Sequence, residues 1–304
     1  MTPAAIQGSS NKAIVHIGQE SKDSAIYTAN LPFPKNVLKK IKGLGWEVVN
    51  IEDVSPGNLD DCDLVPFRST SGNTAKICVH KKFEDKWVSG AIRGSGRWVD
   101  CDELPARWNK VRTGAKNEVY VDIGANIGSC VMEMLMSTDA NIVAFEPNPP
   151  NHKLLSYILS LLDPKYQGRV ALFPIALGSE SVKSQIYSSK ENMGNSVVGK
   201  PIKDDDGQHI MDPVYMYIER FDSIFSDQTH IPLVKLDVQG FECQVLDGMS
   251  QGVVNNIQQV KFENEKIFLE AHGCVDLVSR FQSLGFTLEK CDHCINSIAI
   301  KKSE

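Results

Sequence analysis

Several kinds of segment are missing from this chain of 304 residues. No run of eighteen or more apolar residues occurs, so no membrane-spanning helix is expected. Acidic residues outnumber basic ones by 38 to 32, and the net charge of -6 leaves no basic surplus for binding a nucleic-acid backbone. The first ten residues lack the basic and apolar regions of a signal peptide. These absences predict a soluble, cytoplasmic protein with neither a membrane span nor a nucleic-acid partner.

Metal-binding patterns are scarce as well. The eight cysteines are scattered, and a chain of this length needs no disulfide framework, so we expect reduced, buried thiols. Only Cys291-Asp-His293-Cys294 has a spacing typical of metal ligands. A structural zinc site needs four ligands, usually from a second such pair, and the sequence has no second pair. We therefore predict no metal site.

The pattern of apolar residues divides the chain near residue 75. Before it, two short strand patterns at 13–17 and 46–51 flank a helical spacing that begins after Pro34. This arrangement predicts a small N-terminal α/β extension over residues 1–75, which is either a separate cap or an addition to the main sheet. From residue 76 to residue 304, strand and helix patterns alternate, which is typical of one α/β domain with a mostly parallel sheet.

The clearest motif spans residues 119–130. A strand pattern ends at Asp122, and a turn with Gly124 and Gly128 opens a helical pattern, which is how an α/β nucleotide-binding unit begins. The glycines permit positive φ and let a ligand approach the main chain. The spacing is D-x-G-x-x-x-G and not the G-x-G-x-x-G of dinucleotide sites. Asp122 would repel a diphosphate but suits a cation, so we predict S-adenosylmethionine, which carries an ammonium and a sulfonium, as the cofactor.

A second acid stands where the next predicted strand ends. Glu146 follows the glycine turn by about twenty residues, the spacing expected of an acid that accepts hydrogen bonds from both ribose hydroxyls. Asn148 is then expected beside the nucleoside. Residues 148–151 also resemble the N-P-P-aromatic box of amino-group methyltransferases, but the aromatic that would stack on a base is missing. We interpret these prolines as the first turn of a helix.

Two later strand patterns also end in acids. Residues 231–237 read as a buried strand ending at Asp237, and residues 257–263 as another ending at Glu263. Acids at the carboxyl ends of strands in open α/β sheets line the ligand crevice, so both are candidates for the site. The alternatives are that Asp237 only pairs with Lys235 and that Glu263 is an ordinary exposed acid. The remaining patterns predict a hairpin from 184–188 and 214–218 and a closing antiparallel pair from 286–289 and 297–300.

Four motifs together resemble the FkbM-type methyltransferases over about residues 80–302. They are the Asp122 turn, Glu146-Pro-Asn148, Ala176-Leu-Gly and the block Val234-Lys-Leu-Asp237-Val-Gln239-Gly-Phe-Glu. The D-x-G-x-x-x-G turn is shared by many methyltransferases, whereas the last block is far more specific. That family most often has Glu where this chain has Gln239, so no catalytic role is expected of position 239.

The resemblance implies a fold, a cofactor and a set of site residues. The fold is a Rossmann-like class I methyltransferase sheet, mostly parallel with an antiparallel last strand. The cofactor is S-adenosylmethionine, and the acceptor is a hydroxyl oxygen of a small molecule, sugar or lipid. Asp237 and Glu263 are the expected catalytic residues. The expected cofactor-binding residues are Asp122, Gly124, Asn126, Gly128, Glu146, Asn148 and Ala176.

Two other classes of function are compatible with the patterns. An NAD(P)-dependent oxidoreductase has a related sheet, but Asp122 and the missing third glycine disfavour it. A non-catalytic module that binds the cofactor is the second alternative, because fold alone does not decide chemistry. The loops that would select the acceptor, near 87–110 and 188–213, carry no recognisable motif, and neither the acceptor nor the oligomeric state follows from the sequence.

Overall fold

The computed structural model describes six stretches of the chain, which are residues 14–17, 47–50, 62–115, 118–201, 211–289 and 296–302. The predicted helix after Pro34 and the Cys291-Asp-His293-Cys294 spacing lie outside these stretches. Part of the loop predicted at 188–213 lies outside them as well.

Nine of the strands in the described residues form one central sheet. The strands, in chain order, are β1 (Ile14–Ile17), β2 (Glu47–Asn50), β3 (Asp63–Arg68), β4 (Thr74–Val79), β5 (Glu118–Ile123), β6 (Asn141–Phe145), β7 (Val170–Phe173), β8 (Ala176–Leu177), β9 (Val182–Tyr187), β10 (Val197–Val198), β11 (Val214–Glu219), β12 (His230–Leu236), β13 (Ile257–Glu263), β14 (Phe286–Leu288) and β15 (Asn296–Lys301). The order across the central sheet is β14-β15-β13-β12-β5-β6-β7-β1-β2.

The central sheet confirms the predicted architecture. Strands β7, β6, β5, β12 and β13 run parallel, and β15 inserts antiparallel between β13 and β14. The parallel strands are apolar and almost entirely buried because helices cover both faces of the sheet. At the opposite edge, β1 pairs antiparallel with β7 and parallel with β2, so these two strands extend the sheet.

Helices cover the central sheet on both sides. They are α1 (Val88–Ser95), α2 (Leu104–Val111), α3 (Ser129–Ser137), α4 (Pro149–Ser160), α5 (Pro164–Gln167), α6 (Glu242–Asp247), α7 (Gln251–Asn255), α8 (Lys266–Ala271) and α9 (Leu277–Ser283). One apolar core includes Trp108, Leu135 and Leu155 from α2, α3 and α4, and the other includes Val253 and Phe281 from α7 and α9. Within the described stretches, no helix is long and apolar enough to cross a bilayer.

The hairpin of β3 and β4 belongs to the same core as α3 and α4. Its residues Phe67 and Ile77 are fully buried there with Leu135 and Leu155. The boundary proposed at residue 75 therefore falls inside β4, and the hairpin packs with the domain that follows it. The division of the chain into an extension and a domain stays a prediction.

A smaller sheet of four strands, in the order β10-β9-β11-β8, follows the third parallel strand. The antiparallel pairing of β9 and β11 confirms the predicted hairpin. Ile186, Val198 and Met216 of this sheet form a separate apolar cluster with Phe241, which precedes α6. This cluster brings the smaller sheet close to the carboxyl ends of the parallel strands.

Three disulfides correct the expectation of reduced thiols. They join Cys62 to Cys78, Cys101 to Cys130 and Cys243 to Cys274, with Cα–Cα distances of 5.6, 5.0 and 5.6 Å. Among the described cysteines none is free. The partners are 16, 29 and 31 residues apart in sequence. The first pair is joined across the β3–β4 hairpin, and the other two are brought together by the packing of separate elements.

Candidate active site

The turn after β5 contains two glycines, and close contacts with other parts of the chain explain why both positions require glycine. Gly124 has a φ of +83°, and a Cβ built on it would lie 1.8 Å from the backbone oxygen of Asp237. Gly128 has a φ of +87°, and its Cβ would lie 2.2 Å from Cδ1 of Leu155. Gly124 thus lets the tips of β5 and β12 meet, and Gly128 lets α4 pack against the start of α3.

Glu146, just past the end of β6, closes the same turn from the other side. Its Oε2 accepts from the backbone N–H of Asn126 at 2.6 Å, and its Oε1 accepts from that of Asn148 at 2.8 Å. Burial raises the pKa of Glu146 to about 7, although these two hydrogen bonds oppose the shift. A carboxylate has about four lone-pair positions, so both oxygens can still accept hydrogen bonds from a ligand.

Asn148 lies behind Glu146. Its side chain is buried, and its Nδ2 donates to Oγ of Ser196 at 2.8 Å. Asn148 thereby connects the end of β6 to the loop that contains Ser196, which lines the cavity described below. The contact indicates a supporting position for Asn148.

A lysine joins the acids at the ends of β5 and β12. Lys235 Nζ lies 3.4 Å from Asp122 Oδ1 and 3.3 Å from Asp237 Oδ2, and it donates to the backbone oxygen of Gly124 at 2.9 Å. Burial alone would lower the pKa of Lys235, but the charges of Asp237 and Asp122 outweigh burial and raise it. Lys235 is therefore a fixed cation shared by two acids.

The two acids differ in their access to solvent. Asp122 is fully buried, and burial raises its pKa to about 6. The Asp237 side chain is 30% exposed and faces the cavity. Asp122 thus balances the buried charge of Lys235 from behind, while Asp237 presents a carboxylate to whatever enters the cavity.

Glu263 ends β13 beside Asp237, and a glutamine connects the two. Gln239 Nε2 donates to Asp237 Oδ1 at 2.9 Å and to Glu263 Oε2 at 2.8 Å. Burial raises the pKa of Glu263 well above its ordinary value, and the negative charges of Asp237, Glu242 and Glu265 raise it further. Gln239 therefore joins two acids in different surroundings, Asp237 beside the charge of Lys235 and Glu263 among other acids.

The segment between α1 and α2 also lines the site. Lys261 of β13 donates to the backbone oxygen of Asp100 at 2.5 Å and pairs with Glu103 Oε1 at 2.8 Å. Burial would raise the pKa of Glu103, but hydrogen bonds from Lys261 and Arg107 lower it overall. The Cys101–Cys130 disulfide attaches the same segment to α3.

These groups surround one cavity of about 920 Å³ at the carboxyl ends of the parallel strands. That volume is at the upper end of the range typical of small-molecule sites. Asp122, Gly128 and Asn148 are not part of its lining. The predicted site residues that line it are Gly124, Asn126, Glu146, Ala176, Asp237 and Glu263.

Comparison with known families identifies the chain. Residues 122–288, more than half of its length, match the model of the methyltransferase FkbM domain. The chain belongs to this family. The matched segment of this FkbM methyltransferase runs from the Asp122 turn to β14 and so includes the cavity residues Glu146, Asp237 and Glu263. Membership implies S-adenosylmethionine as the methyl donor, and the strand order is that of a class I methyltransferase.

Two solved structures with a similar fold are distant from this chain in sequence. The precorrin-6y C5,15-methyltransferase from Geobacter metallireducens is 13% identical, with 66% of this chain and 89% of that chain covered and a TM-score of 0.35. A SAM-dependent O-methyltransferase from Thermotoga maritima is 10% identical, with 79% of this chain and 78% of that chain covered and a TM-score of 0.37. No curated protein matches the chain.

The residues of this FkbM methyltransferase fit the implied cofactor. Glu146 offers a carboxylate for ribose hydroxyls, the backbone of Gly124, Ala125 and Asn126 lines the cavity beside it, and Ala176 lines the adjoining wall. The carboxylate of Asp237 favours a positively charged ligand. These roles remain predictions for each residue, because the structure fixes only their positions.

Sequence reasoning missed part of this FkbM methyltransferase site. Lys261 was not singled out, no residue of the predicted 87–110 loop was assigned a role, and Gln239 was given none. One signal was available for Lys261, because it pairs in register with Lys235 on the neighbouring strand, and Lys235 with Asp122 on the next. Such a row of charges on buried parallel strands is unusual, because buried charges need partners.

Proposed function

We propose that this FkbM methyltransferase transfers a methyl group from S-adenosylmethionine to a hydroxyl oxygen of a small molecule, sugar or lipid. The observation that carries the proposal is the carboxylate of Asp237, which faces the same cavity as Glu146. A hydroxyl must lose its proton when it is methylated, and a nearby ionised acid can accept that proton.

The residues around Glu146 would hold the cofactor. Glu146 is proposed to accept hydrogen bonds from the ribose hydroxyls, and the backbone between Gly124 and Asn126 to line the same end. When bound, S-adenosylmethionine supplies a methyl group on a positively charged sulfur. The protein contributes alignment and partial exclusion of water.

Asp237 is proposed to act as the base. The acceptor hydroxyl gives its proton to Asp237, and its oxygen forms a bond to the methyl carbon. The bound cofactor would supply the methyl group, and its sulfur would keep the electron pair of the broken sulfur–carbon bond. Lys235, 3.3 Å from Asp237 Oδ2, favours the ionised form of Asp237 before this transfer.

The decisive experiment separates the proposal from the oxidoreductase and from the non-catalytic module. S-adenosylhomocysteine should raise the melting temperature of the protein, whereas NAD(H) should not. Incubation with methyl-labelled cofactor and a cell extract should yield a methylated product, which mass spectrometry identifies as a methyl ether. A melting shift with NAD(H) alone, or cofactor binding with no labelled product from any extract, would refute the proposal.

The role of Asp237 is tested by Asp237→Asn with the same extract. We expect the rate of methylation to fall by roughly 10²–10⁴ while the affinity for S-adenosylhomocysteine is kept. Asp222→Asn is the matched control, because Asp222 also pairs with a basic side chain, at 2.6 Å from Arg220. Asp222 does not line the cavity. Equal rates in the two variants would show that Asp237 is only a structural partner of Lys235.

The three disulfides also bear on the compartment in which this chemistry takes place. The expectation of a cytoplasmic protein was drawn from the lack of a signal peptide and of a membrane span, and the disulfides do not support it. Disulfides persist mainly in oxidising compartments, because glutathione and thioredoxin keep cytosolic thiols reduced. We propose that the protein works where these bonds are stable, which alkylation and mass spectrometry of the protein from its native source would test.

A further inference from the structure

The turn after β12 holds Gln239 in an unusual backbone conformation. Gln239 has a φ of +53°, and the next residue, Gly240, has a φ of +96°. A Cβ on Gly240 would lie 2.3 Å from the backbone oxygen of Phe268 in α8. A left-handed conformation of a residue other than glycine persists only where its surroundings hold it, and such conformations cluster at functional sites. Here the turn directs the Gln239 side chain back across the ends of β12 and β13.

Both N–H groups of the Gln239 amide are used by acids. One donates to Asp237 Oδ1 at 2.9 Å and the other to Glu263 Oε2 at 2.8 Å. An amide nitrogen carries two N–H groups, whereas the amide oxygen only accepts. The reversed amide would direct its oxygen, which cannot donate, at the acceptor oxygens of the acids. The orientation of Gln239 therefore follows from the acceptor oxygens of its partners.

The two acids receive different partners. Asp237 has Gln239 on Oδ1 and Lys235 on Oδ2, so both of its oxygens face donors that favour the ionised form. Glu263 receives one neutral donor on Oε2, and burial together with Asp237, Glu242 and Glu265 raises its pKa. Since Oε2 accepts the N–H of Gln239, a proton on Glu263 would be carried by Oε1.

We propose that Gln239 is a positioning residue that gives the two acids different roles, Asp237 as the base that takes the proton of the acceptor and Glu263 as an acid that donates a hydrogen bond to it. This inference rests on the proposed function. A neutral amide suits the position because it gives each acid one hydrogen bond and never titrates. A carboxyl group in its place would add a third acid between the two, and it could donate at most one hydrogen bond.

The first test needs no acceptor, because it follows carboxyl protonation by infrared spectroscopy of the whole protein. The band of Glu263 is assigned as the one that disappears in Glu263→Gln, and we expect it to be present at pH 7. In Gln239→Met, the carboxylate of Asp237 loses a donor, so its titration should move up by about one pH unit. Gln239→Glu, which preserves the size of the side chain, replaces Gln239→Met if that variant fails to fold. The Gln239→Glu protein should bind an additional proton at pH 7.

The matched control is Gln244→Met. Gln244 is also half-buried, and its Nε2 donates to the backbone oxygen of His272 at 3.1 Å and not to an acid. This variant should lose a similar amount of stability but keep the wild-type carboxyl titration. Folded Gln239 variants that titrate like Gln244→Met would overturn the inference and assign Gln239 a purely structural role.

The second test uses methylation with labelled cofactor and the extract. Gln239→Met should lower the rate at pH 7 by at least about tenfold and move the rising limb of the pH–rate profile up by about one unit, as the base titrates later. An unchanged profile with a merely lower rate would contradict the inference. The infrared measurement tests the role of Gln239 separately from the proposed function, because its result does not depend on whether methyl transfer to a hydroxyl is found.

Discussion

The two ends of the cavity are built in different ways. At the ends of β5 and β6, Glu146 is held by main-chain N–H groups from the turns that follow these strands. At the ends of β12 and β13, Asp237 is held by the side chains of Lys235 and Gln239, and Glu263 by Gln239. Any sequence that adopts the turns supplies main-chain donors, whereas side-chain donors depend on residue identity. Conservative changes should therefore be tolerated better at the first end than at the second.

The largest expected effect is a loss of stability at Gly124, where the two ends of the cavity touch. Gly124→Ala places a Cβ 1.8 Å from the backbone oxygen of Asp237, which no side-chain rotation can relieve. We expect the free energy of unfolding to fall by more than about 4 kcal/mol, or no folded protein at all. Urea unfolding measures the change.

Gly114→Ala is the control for this variant. Gly114 has the same φ of +83°, but nothing lies within 4 Å of a Cβ built on it. The left-handed backbone alone should cost about 1–2 kcal/mol there. Equal losses in the two variants would mean that backbone conformation, and not contact between the two ends, requires glycine at residue 124.

A smaller effect is expected from Glu146→Ala. The affinity for S-adenosylhomocysteine should fall by on the order of 1–3 kcal/mol, because hydrogen bonds to a charged acceptor are lost. Titration calorimetry measures it. Glu133→Ala is the control, since Glu133 is also a buried acid and accepts from the backbone N–H of Thr70 at 3.1 Å, away from the cavity. If both variants bind the ligand with wild-type affinity, Glu146 serves only to hold its turn.

The third effect concerns the dependence of the free energy of unfolding on pH. Burial raises the pKa of Glu146 to about 7 and that of Glu242 to about 8, so the folded protein keeps protons that the unfolded chain loses. This stabilisation is complete below the ordinary carboxyl pKa and is lost as the pH rises through the folded values. The free energy of unfolding should therefore decrease between pH 5 and pH 8.

Replacing one of these acids should flatten that dependence. Glu146→Gln should reduce the slope of the free energy of unfolding against pH between pH 5 and 7. The reduction should reach up to about 1.4 kcal/mol per pH unit, which corresponds to one bound proton. Glu180→Gln, at an exposed position, should leave the slope unchanged. A Glu146→Gln slope equal to that of the wild type would show that Glu146 is ionised throughout this range in the folded protein.

Most of the central fold was predictable from local patterns. The buried strands around Asp122, Glu146 and Asp237 are short apolar runs that end in an acid, and parallel strands direct those ends to one edge of the sheet. The hairpin of β9 and β11 was predictable because alternating residues repeat on both strands. The strand β3 and the helices α1 and α2 were not predicted, because they are short and their apolar residues are few.

The disulfides and the contacts of Gln239 show what local patterns leave out. A cysteine pair 29 residues apart has no sequence signal that separates it from two reduced thiols. From the sequence, Asp122 is predicted to face a ligand at the end of a strand. In the structure it is buried against Lys235, because a charge in the core needs a partner. Glu263 and Asp237 are 26 positions apart, and only the sheet register makes them neighbours of one amide.

The sequence by itself determined the parallel sheet, the family, and the edge of the sheet at which acids gather, because these depend on patterns within single strands and turns. Tertiary structure alone decided which acids reach the cavity, which of them share a lysine, and which are joined by Gln239. The physical reason is that protonation and hydrogen bonding of a buried acid depend on its nearest neighbours in space. In this sheet those neighbours come from strands that are far apart in the chain.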